Sequence, residues 1–216
     1  MRAIIVASGH SADDSSWRSW VREGDLIIGA DGGAGQALRW GLVPKFVIGD
    51  MDSLSERARQ ALEARGAQFV DHPRAKDQTD LELALSFARE QGARDIILFG
   101  VLGGRLDHTL SNLLLLTLPE LKEVTVRVVH GPEEILVVRD GETVAVSGRP
   151  GDLISLLPWG GDVHGVTTQG LAWALEDDML RFGFSRGVSN EMVGPEAEVS
   201  VRQGQLLLVH GPQPTD

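Results

Sequence analysis

The chain has 216 residues, of which 42% are hydrophobic and 24% charged, with 20 Lys and Arg against 31 Asp and Glu. The formal net charge of −11 at pH 7 disfavours nucleic acid or an anionic membrane surface as a partner, because neither is attracted over distance. The sequence contains no cysteine, which excludes disulfides, thiolate catalysis and sulfur-ligated zinc. The first apolar run, residues 3–7, is too short to span a membrane and no leader cleavage site follows it, so we expect a cytoplasmic protein.

Short β-branched runs alternate with amphipathic segments in the first half of the chain. The runs predict buried strands at residues 4–6, 26–28, 46–48, 69–70, 96–99 and 124–130. Two pairs have the spacing of a capping box at a helix start, namely Ser53 with Glu56 and Thr79 with Glu82. The helices that they begin are predicted to end at Gly66 and Gly92. This alternation predicts a parallel sheet with right-handed crossovers and helices on both faces.

The second half of the chain shows no long helical pattern. Its short apolar runs, separated by Gly, Pro and Asp, lie at residues 135–139, 143–146, 153–157, 163–168, 199–202 and 206–209. Strands at this spacing predict an antiparallel sandwich or a small barrel. We therefore predict an α/β domain over residues 1–131 and an all-β domain over residues 132–216.

Glycines, carboxylates and one basic residue occupy the loops that follow the predicted parallel strands. The loops contain Asp31-Gly32-Gly33-Ala34-Gly35, Gly49-Asp50-Met51-Asp52-Ser53, Lys76-Asp77-Gln78-Thr79-Asp80 and Gly103-Gly104-Arg105-Leu106-Asp107-His108. In an open parallel sheet these loops meet at the carboxyl edge, where ligands bind. Glycines there let the backbone approach a phosphate, which the following helix N-terminus also attracts.

Carboxylates cannot face phosphate directly, because like charges at contact repel. Mg²⁺ removes this conflict, since it is usually held by one or two carboxylates together with substrate phosphates. Asp50 and Asp52 lie two residues apart and could reach one ion or a pair of ions, with Asp80 or Asp77 completing the set. The loops therefore predict a magnesium and phosphate site.

Each of these features also has a structural interpretation. Asp80 could favour the dipole of its own helix, Thr79 could be a cap alone, and Gly32 with Gly33 could form an ordinary tight turn. Arg105 could be a solvated loop charge. Convergence on one sheet edge favours the functional interpretation. The sequence lacks a GxGxxG fingerprint and a GxxxxGK[ST] loop, which argues against a nicotinamide dehydrogenase and a P-loop kinase.

These loops, with three segments of the second half, resemble the thiamine pyrophosphokinase family over nearly the whole chain. The further segments are Thr167-Thr168-Gln169-Gly170-Leu171, Trp173, and Gly187-Val188-Ser189-Asn190-Glu191. The resemblance implies transfer of a pyrophosphoryl group from ATP to thiamine with release of AMP. It also implies a Rossmann-like three-layer α/β domain, a C-terminal β-sandwich, and a homodimer whose active sites lie at the subunit interface.

The resemblance assigns roles to residues by position. It implies that Asp50, Asp52 and Asp80 bind Mg²⁺ and that Arg105 and Asp107 complete the catalytic set. The residues implied to bind ATP are Asp31, Gly32, Gly33, Asp77, Thr79, Gly104 and Arg105. Those implied to bind thiamine are Trp173, Ser189 and Asn190.

Trp173 has a second interpretation. It alternates with Leu171 and Leu175, which would equally suit a tryptophan in the sandwich core, and without the resemblance the core interpretation is the stronger. Ala172 stands where relatives often carry Lys, so a polar contact made there in other members is not expected here.

The implied reaction is in-line attack of the thiamine hydroxyl on the β-phosphorus of ATP, in which metal and Arg105 matter more than a strong base. Asp80 and Asp107 are the candidates to accept the hydroxyl proton. Two alternatives remain at this point. One is pyrophosphoryl transfer to another hydroxymethyl heterocycle such as a pterin, and the other is a non-catalytic nucleotide or thiamine sensor.

Overall fold

The computed structural model describes residues 1–9 and 16–213. Contacts divide the chain into two compact units, Met1–Gly131 and Pro132–Asp216. Within the described ranges, no helix has both the length and the apolar character that a bilayer span requires.

Parallel strands form the sheet of the first unit. In chain order they are β1 Arg2–Val6, β2 Leu26–Ala30, β3 Phe46–Gly49, β4 Gln68–Asp71, β5 Asp95–Phe99 and β6 Thr125–His130. Within this unit the spatial order is β4-β3-β2-β1-β5-β6, and each neighbouring pair is parallel. The direction in which the chain adds strands reverses between β1 and β5. In doubly wound sheets the crevice at such a reversal is where ligands bind.

Helices connect these strands. They are α1 Trp17–Trp20, α2 Gly33–Arg39, α3 Glu56–Glu63, α4 Asp80–Glu90 and α5 Leu106–Leu115, followed by a 3-10 turn at Pro119–Leu121. Residues Ala3 to Val6 of β1 are all buried, so both faces of this central strand are covered. One core cluster joins Ile4, Val6 and Phe99 to the indoles of Trp17 and Trp40. The predicted α/β fold of this unit is confirmed, because a parallel sheet buried on both faces is its defining feature.

The helix starts follow the predicted capping signals in one case of two. Thr79 is the N-cap of α4 and accepts a hydrogen bond from the Glu82 amide at 3.2 Å, as its spacing predicts. The cap of α3 is Ser55, whose hydroxyl accepts from the Ala58 amide, so the prediction of Ser53 as that cap is wrong. Ser53 instead donates to the Asp52 carboxylate at 3.0 Å. The Asp-Met-Asp-Ser loop is therefore two residues longer than the capping pattern indicated.

Antiparallel strands form two sheets in the second unit. One sheet has the order β12-β9-β14-β7 and the other β11-β10-β13-β8. The strands are β7 Glu133–Val138, β8 Thr143–Ser147, β9 Leu153–Pro158, β10 Val163–Gln169, β11 Asp178–Leu180, β12 Asn190–Glu191, β13 Glu196–Ser200 and β14 Leu206–Gly211. Strand β13 begins three residues before the predicted run at 199–202. The predicted all-β architecture is confirmed as a sandwich.

Alternating residues of the two sheets fill the sandwich core. Leu136 and Leu208 come from one sheet, and Val146, Val166 and Val199 come from the other. All five are at most 4% exposed. Complete burial of a branched side chain stabilises the fold by about 1.5–3 kcal/mol, so this core is the main source of the unit's stability.

His210 lies between two carboxylates at the end of β14. Its Nδ1 is 3.6 Å from Glu134 Oε1 on β7, and its Nε2 is 3.5 Å from Asp152 Oδ2, the residue before β9. Hydrogen bonding to Glu134 raises the pKa of His210, the two carboxylate charges add to the rise, and burial opposes it. His210 on β14 therefore lies between β7 and the residue that precedes β9.

Replacing His210 with Gln should cost more stability at about pH 6 than at about pH 8.5. A histidine pKa that is raised by folding contributes stability that is fully present below the unfolded pKa and is lost as pH rises through the folded value. We expect the difference between the wild type and His210→Gln in the free energy of unfolding to shrink by about 1 kcal/mol over this range. Urea unfolding followed by circular dichroism measures it, and an unchanged difference would refute a charged His210 in the fold.

Candidate active site

A cleft of about 540 Å³ lies at the carboxyl edge of the parallel sheet in the first unit. Loops that follow β1, β2, β3 and β5 line it, together with the segment that leads into α4. The predicted site residues that line the cleft are Asp31, Asp50, Asp52, Thr79, Asp80, Gly104 and Arg105. The volume is in the usual range for a small-molecule site. The structure thus brings together most of the predicted ATP and metal residues.

Three carboxylates of the cleft form a group that could hold a metal ion. One oxygen from each of Asp31, Asp50 and Asp52 lies within 4.8 Å of the other two. The metal set predicted from the sequence had Asp80 in place of Asp31. A Cβ on Gly49 would meet the Asp80 carboxyl group at 3.0 Å and the Cβ of Asp31 at 3.1 Å. The bare glycine therefore lets the side chains of Asp31 and Asp80 lie close to the backbone that leads into the Asp50 loop.

Asp31 is the most buried carboxylate of this group, with 6% of the residue exposed. Its Oδ1 is inaccessible to solvent and has no hydrogen-bond partner among the described residues. Burial raises the pKa of Asp31, hydrogen bonds from Ser53 and the Gly32 amide offset part of that rise, and the charge of Asp80 adds to it. A buried, unpartnered carboxylate oxygen is costly unless a cation or a proton binds it.

Cationic side chains lie among the carboxylates. Lys76 Nζ contacts Asp80 Oδ1 at 2.5 Å, and only 15% and 27% of the two side chains are exposed. Arg74 Nε is 3.5 Å from Asp52 Oδ2, but 84% of its side chain is exposed. The first pair is shielded from solvent, whereas the second is a surface contact that stabilises the fold by at most about 1 kcal/mol. Arg74 is therefore free to turn towards an anionic ligand.

Arg105 and Asp107 form a two-point ion pair at the start of α5. Arg105 Nε and Nη2 lie 3.1 and 2.5 Å from the two oxygens of Asp107. The guanidinium lowers the pKa of the Asp107 carboxyl by hydrogen bonding and by its charge. A carboxylate of lowered pKa is a weak proton acceptor. The contacts of Asp107 therefore suit orientation of Arg105 better than removal of the thiamine hydroxyl proton.

Four of the predicted site residues in the first unit do not line the cleft. Asp77 and Asp107 are exposed beside it, and Gly32 lies at its edge and also borders a neighbouring groove between α2 and α3. Gly33 is buried at the start of α2, where a Cβ would collide with the carbonyl oxygen of Val6. The structure therefore gives Gly33 a packing role, since it lets the first turn of α2 lie against β1.

The sequence reasoning missed the loop after β1. Ser8 and Gly9 line the cleft, and the Gly9 amide donates to the carbonyl oxygen of Gly100 at 2.6 Å. A Cβ on Gly9 would meet that same oxygen, so the two loops approach backbone to backbone. The signal was present, because Gly9 follows the first strand as Gly32 follows the second. Asn112 was also missed. It donates to the Val101 carbonyl at 2.7 Å, and its place at the cleft depends on the path of α5.

The three predicted thiamine residues lie in the second unit. Trp173 is 61% exposed, while Leu171 and Leu175 beside it are buried, so the core interpretation of this tryptophan is wrong. Asn190 is buried and hydrogen-bonded to the Trp173 backbone. Ser189 has a φ of 60°, and its amide donates to Ser155 Oγ at 3.0 Å.

Unusual backbone conformations coincide with these segments. Within the described residues, the non-glycine residues with positive φ are Asp31, Met51, Asp177 and Ser189. All but Asp177 lie in predicted site segments. Such conformations cost of order 1–3 kcal/mol and cluster at binding and catalytic sites.

The fold and the cleft together define a phosphotransferase built from a doubly wound α/β unit and a β-sandwich. Residues 17–128 match the family model for the thiamin pyrophosphokinase catalytic domain, and residues 141–206 match the model for its vitamin B1 binding domain. Thiamine pyrophosphokinase of Bacillus subtilis is 30% identical over 205 residues, which cover 95% of this chain and 96% of that protein. The chain therefore belongs to the thiamine pyrophosphokinase family.

Solved structures agree with this assignment. The crystal structure of thiamine pyrophosphokinase from Bacillus subtilis superposes with a TM-score of 0.88 at 29% identity, covering 99% of this chain and 100% of that one. The crystal structure of thiamin pyrophosphokinase from Geobacillus thermodenitrificans superposes with a TM-score of 0.85 at 28% identity, covering 100% of this chain and 99% of that one. These matches confirm the resemblance and do not favour the pterin or sensor alternatives.

Replacing Asp31 with Asn should stabilise the metal-free protein by about 1 kcal/mol at pH 7, because the amide removes a buried charge whose Oδ1 has no partner among the described residues. A carboxyl whose pKa is raised by folding contributes stability that is fully present below its unfolded pKa and is lost as pH rises through the folded value. The advantage of the variant should therefore shrink as pH falls towards about 4. Urea unfolding in the presence of a chelator measures it.

The exposed Asp77 provides the matched control for this substitution. Asp77→Asn should change the free energy of unfolding by less than about 0.5 kcal/mol. An Asp31→Asn variant that is less stable than the wild type at pH 7 would show that the Asp31 carboxylate is well satisfied in the fold.

Proposed function

We propose that this chain transfers the pyrophosphoryl group of ATP to the hydroxyl of thiamine, giving thiamine diphosphate and AMP. The observation that carries the proposal is the cleft of the first unit, where Asp31, Asp50 and Asp52 meet beside Lys76 and Arg105 in a member of this family. Carboxylates that hold a divalent cation and basic groups that face phosphate are what phosphoryl-type transfer requires. Because the reaction consumes ATP, we propose a cytoplasmic location.

The donor set of the cleft fits Mg²⁺. All three grouped residues offer carboxylate oxygens, which are the hard ligands that this ion prefers, and Asp31 Oδ1 lacks any other partner in the described structure. Asp50, Asp52 and Asp31 would hold the ion, with Asp80 next to Asp31. Bound Mg²⁺ would neutralise phosphate charge and orient the phosphate chain of ATP.

The residues of the cleft then have defined tasks in the proposed reaction. The thiamine hydroxyl oxygen bonds to the β-phosphorus, the bond from that phosphorus to the α,β-bridging oxygen breaks, and AMP leaves with that oxygen. Arg105, oriented by Asp107, stabilises negative charge on the transferred group, and Lys76 and Arg74 add positive charge at the rim. Arg105 lowers the pKa of Asp107, so this carboxylate is a poor candidate to receive the hydroxyl proton.

Trp173 is proposed as the platform for thiamine. A tryptophan that is 61% exposed in an otherwise anchored segment offers an indole face to an electron-poor pyrimidine and a cationic thiazolium. The net charge of −11 also favours approach of a cation. Ser189 and Asn190 shape the same region of the second unit.

A homodimer with active sites at the subunit interface is also proposed. Leu106, Leu110 and Leu114 are 72%, 48% and 56% exposed and recur every fourth residue of α5, so they form one apolar stripe. A stripe of this kind on a protein surface indicates an interaction site. Its first residue lies between Arg105 and Asp107, so a partner that covers the stripe would also border the cleft.

The proposed activity predicts the nucleotide product. Incubation with Mg²⁺, ATP and thiamine should give AMP and thiamine diphosphate in equal amounts, resolved by chromatography. Asp52→Asn should lower kcat about 100-fold or more, since it removes a proposed ligand of the ion that would neutralise phosphate charge. Asp71→Asn, an exposed carboxylate outside the cleft lining, is the matched control and should keep the wild-type rate.

Other products would contradict the proposal. ADP would indicate transfer of a single phosphoryl group, and binding of both ligands without turnover would indicate a sensor. Turnover with a hydroxymethyl pterin but not with thiamine would indicate a different acceptor.

The proposed dimer predicts a change of size on substitution. Light scattering should give twice the chain mass of 23.3 kDa for the wild type, and Leu110→Arg should shift it to the monomer and lower turnover, because a charge in the stripe opposes its burial. Val43→Arg, which replaces another exposed apolar residue of the same unit, should leave the mass unchanged. A wild-type monomer with full activity would refute the dimer.

A further inference from the structure

Trp173 lies at the tip of a short loop whose two ends are anchored. Leu171 and Leu175 are 6% and 7% exposed and insert into the sandwich core, whereas Ala172, Trp173 and Ala174 are exposed. The tip of the loop therefore holds a large aromatic side chain in solvent between two buried anchors.

Backbone hydrogen bonds fix the loop on both sides of its tip. The Leu175 amide donates to Thr168 Oγ1 at 2.9 Å, and the Thr168 amide donates to the Leu175 carbonyl at 3.0 Å. On the other side, the Ala172 amide donates to the Glu191 carbonyl at 2.9 Å. The amide and carbonyl of Trp173 itself are then left to be satisfied by some other group.

The side-chain amide of Asn190 supplies both partners. Its Nδ2 donates to the Trp173 carbonyl at 2.7 Å, and its Oδ1 accepts from the Trp173 amide at 3.0 Å. The same Oδ1 also accepts from the Glu191 amide at 2.9 Å. Asn190 is 8% exposed, so these bonds are shielded from water. Of the common side chains of this length, only an amide offers a donor and an acceptor together.

These contacts leave Asn190 little capacity for a ligand. An amide oxygen accepts two hydrogen bonds, and both are taken by backbone amides. One of its two N–H groups is taken as well. The resemblance implies that this residue is one of those that bind thiamine and shape its pocket. The hydrogen bonds assign its polar atoms to the protein instead.

We infer that Asn190 is a positioning residue, which holds the Trp173 backbone in one conformation so that the indole is pre-organised to stack on the aromatic rings of the substrate. The inference rests on the proposed function for the identity of that substrate. Its physical basis is that ordering the loop before binding removes an entropy cost from the binding step. Asn190 then acts on substrate affinity entirely through Trp173.

A double-mutant cycle tests whether the two residues act as one unit. We expect Asn190→Ala to weaken thiamine binding about tenfold, measured by calorimetry, and to raise KM for thiamine rather than that for ATP. In a Trp173→Ala background the same change should have no further effect, because the platform that Asn190 holds is gone. A further loss of similar size in that background would mean direct contact with thiamine and would overturn the inference.

Thr167→Val provides the matched control. Thr167 Oγ1 accepts a hydrogen bond from the Asp177 amide at 3.1 Å, so this variant also loses a side-chain to backbone bond in the same unit. Its thiamine affinity should stay within about twofold of the wild type. An equal loss of affinity in the control would mean that general loosening of the sandwich explains the effect, and would overturn the inference.

A second measurement needs no substrate. In protein labelled with ¹⁵N-tryptophan, the indole signal of Trp173 is identified by its loss in Trp173→Phe. Its heteronuclear NOE should fall in Asn190→Ala while that of Trp159, in the same unit, does not change. Asn190→Asp keeps the acceptor oxygen and replaces the donation to the Trp173 carbonyl with repulsion between two oxygens, so it serves if the alanine variant does not fold.

The two measurements separate failure of the inference from failure of the proposed function. If the wild type binds thiamine but the Trp173 NOE is unchanged in both Asn190 variants, the inference is overturned and the function stands. If the NOE falls but the wild type binds no thiamine, positioning of Trp173 is supported and the proposed substrate is wrong.

Discussion

Backbone contacts too close for side chains assemble the cleft. The loop after β1 lies against the loop after β5 through Gly9 and Gly100, and the first turn of α2 lies against β1 through Gly33. At each of these positions a Cβ would overlap a carbonyl oxygen. Because the loops meet at this distance, side chains from four different strands reach the same volume. The arrangement of the reactive side chains therefore depends on glycines that take no part in the chemistry themselves.

The electrostatic balance of the cleft follows from this crowding. Carboxylates concentrated in one place repel each other, and Asp31 bears the cost most directly because it is buried and Asp80 lies beside it. The protein offsets part of the repulsion with its own cations, of which Lys76 on Asp80 is the best shielded. Asp31 Oδ1 is left without such a partner among the described residues. A site of this kind can bind a cation and anionic groups together, since the cation neutralises the carboxylates and the basic side chains neutralise the anionic groups.

Sequence patterns predicted those helices and strands whose formation is determined mainly by their own residues. The β-branched runs predicted β1 and β5 because strands buried on both faces must be continuously apolar. Elements that depend on tertiary contacts were missed. Helix α2 begins Gly-Ala-Gly, a poor helix sequence that β1 and β2 stabilise by packing, and β11 and β12 have only three and two residues. Strand β13 was displaced because its alternating Glu-Ala-Glu-Val pattern contains too few apolar residues to mark where it starts.

The residue types of the loops predicted most of the cleft lining, because the carboxyl ends of parallel strands lie at the same edge of the sheet. They did not predict which carboxylates would lie closest together, since that depends on the path of the Gly49 backbone between Asp31 and Asp80. Burial decided the case of Trp173, whose alternation with two leucines suited a core position equally well. Spacing carries no information about which side of a loop faces solvent.

His210 has a consequence for how the sandwich forms. It lies directly opposite Glu134 in the pairing of β14 with β7, and β14 also pairs with β9, which follows Asp152. A slip of one residue along β14 would turn the imidazole to the other face of the sheet and leave both carboxylates without it. The neighbouring Leu-Leu-Leu-Val run has similar apolar residues at every position and discriminates poorly between alignments. One polar contact at the end of the strand thus makes the native alignment distinguishable from its nearest competitors.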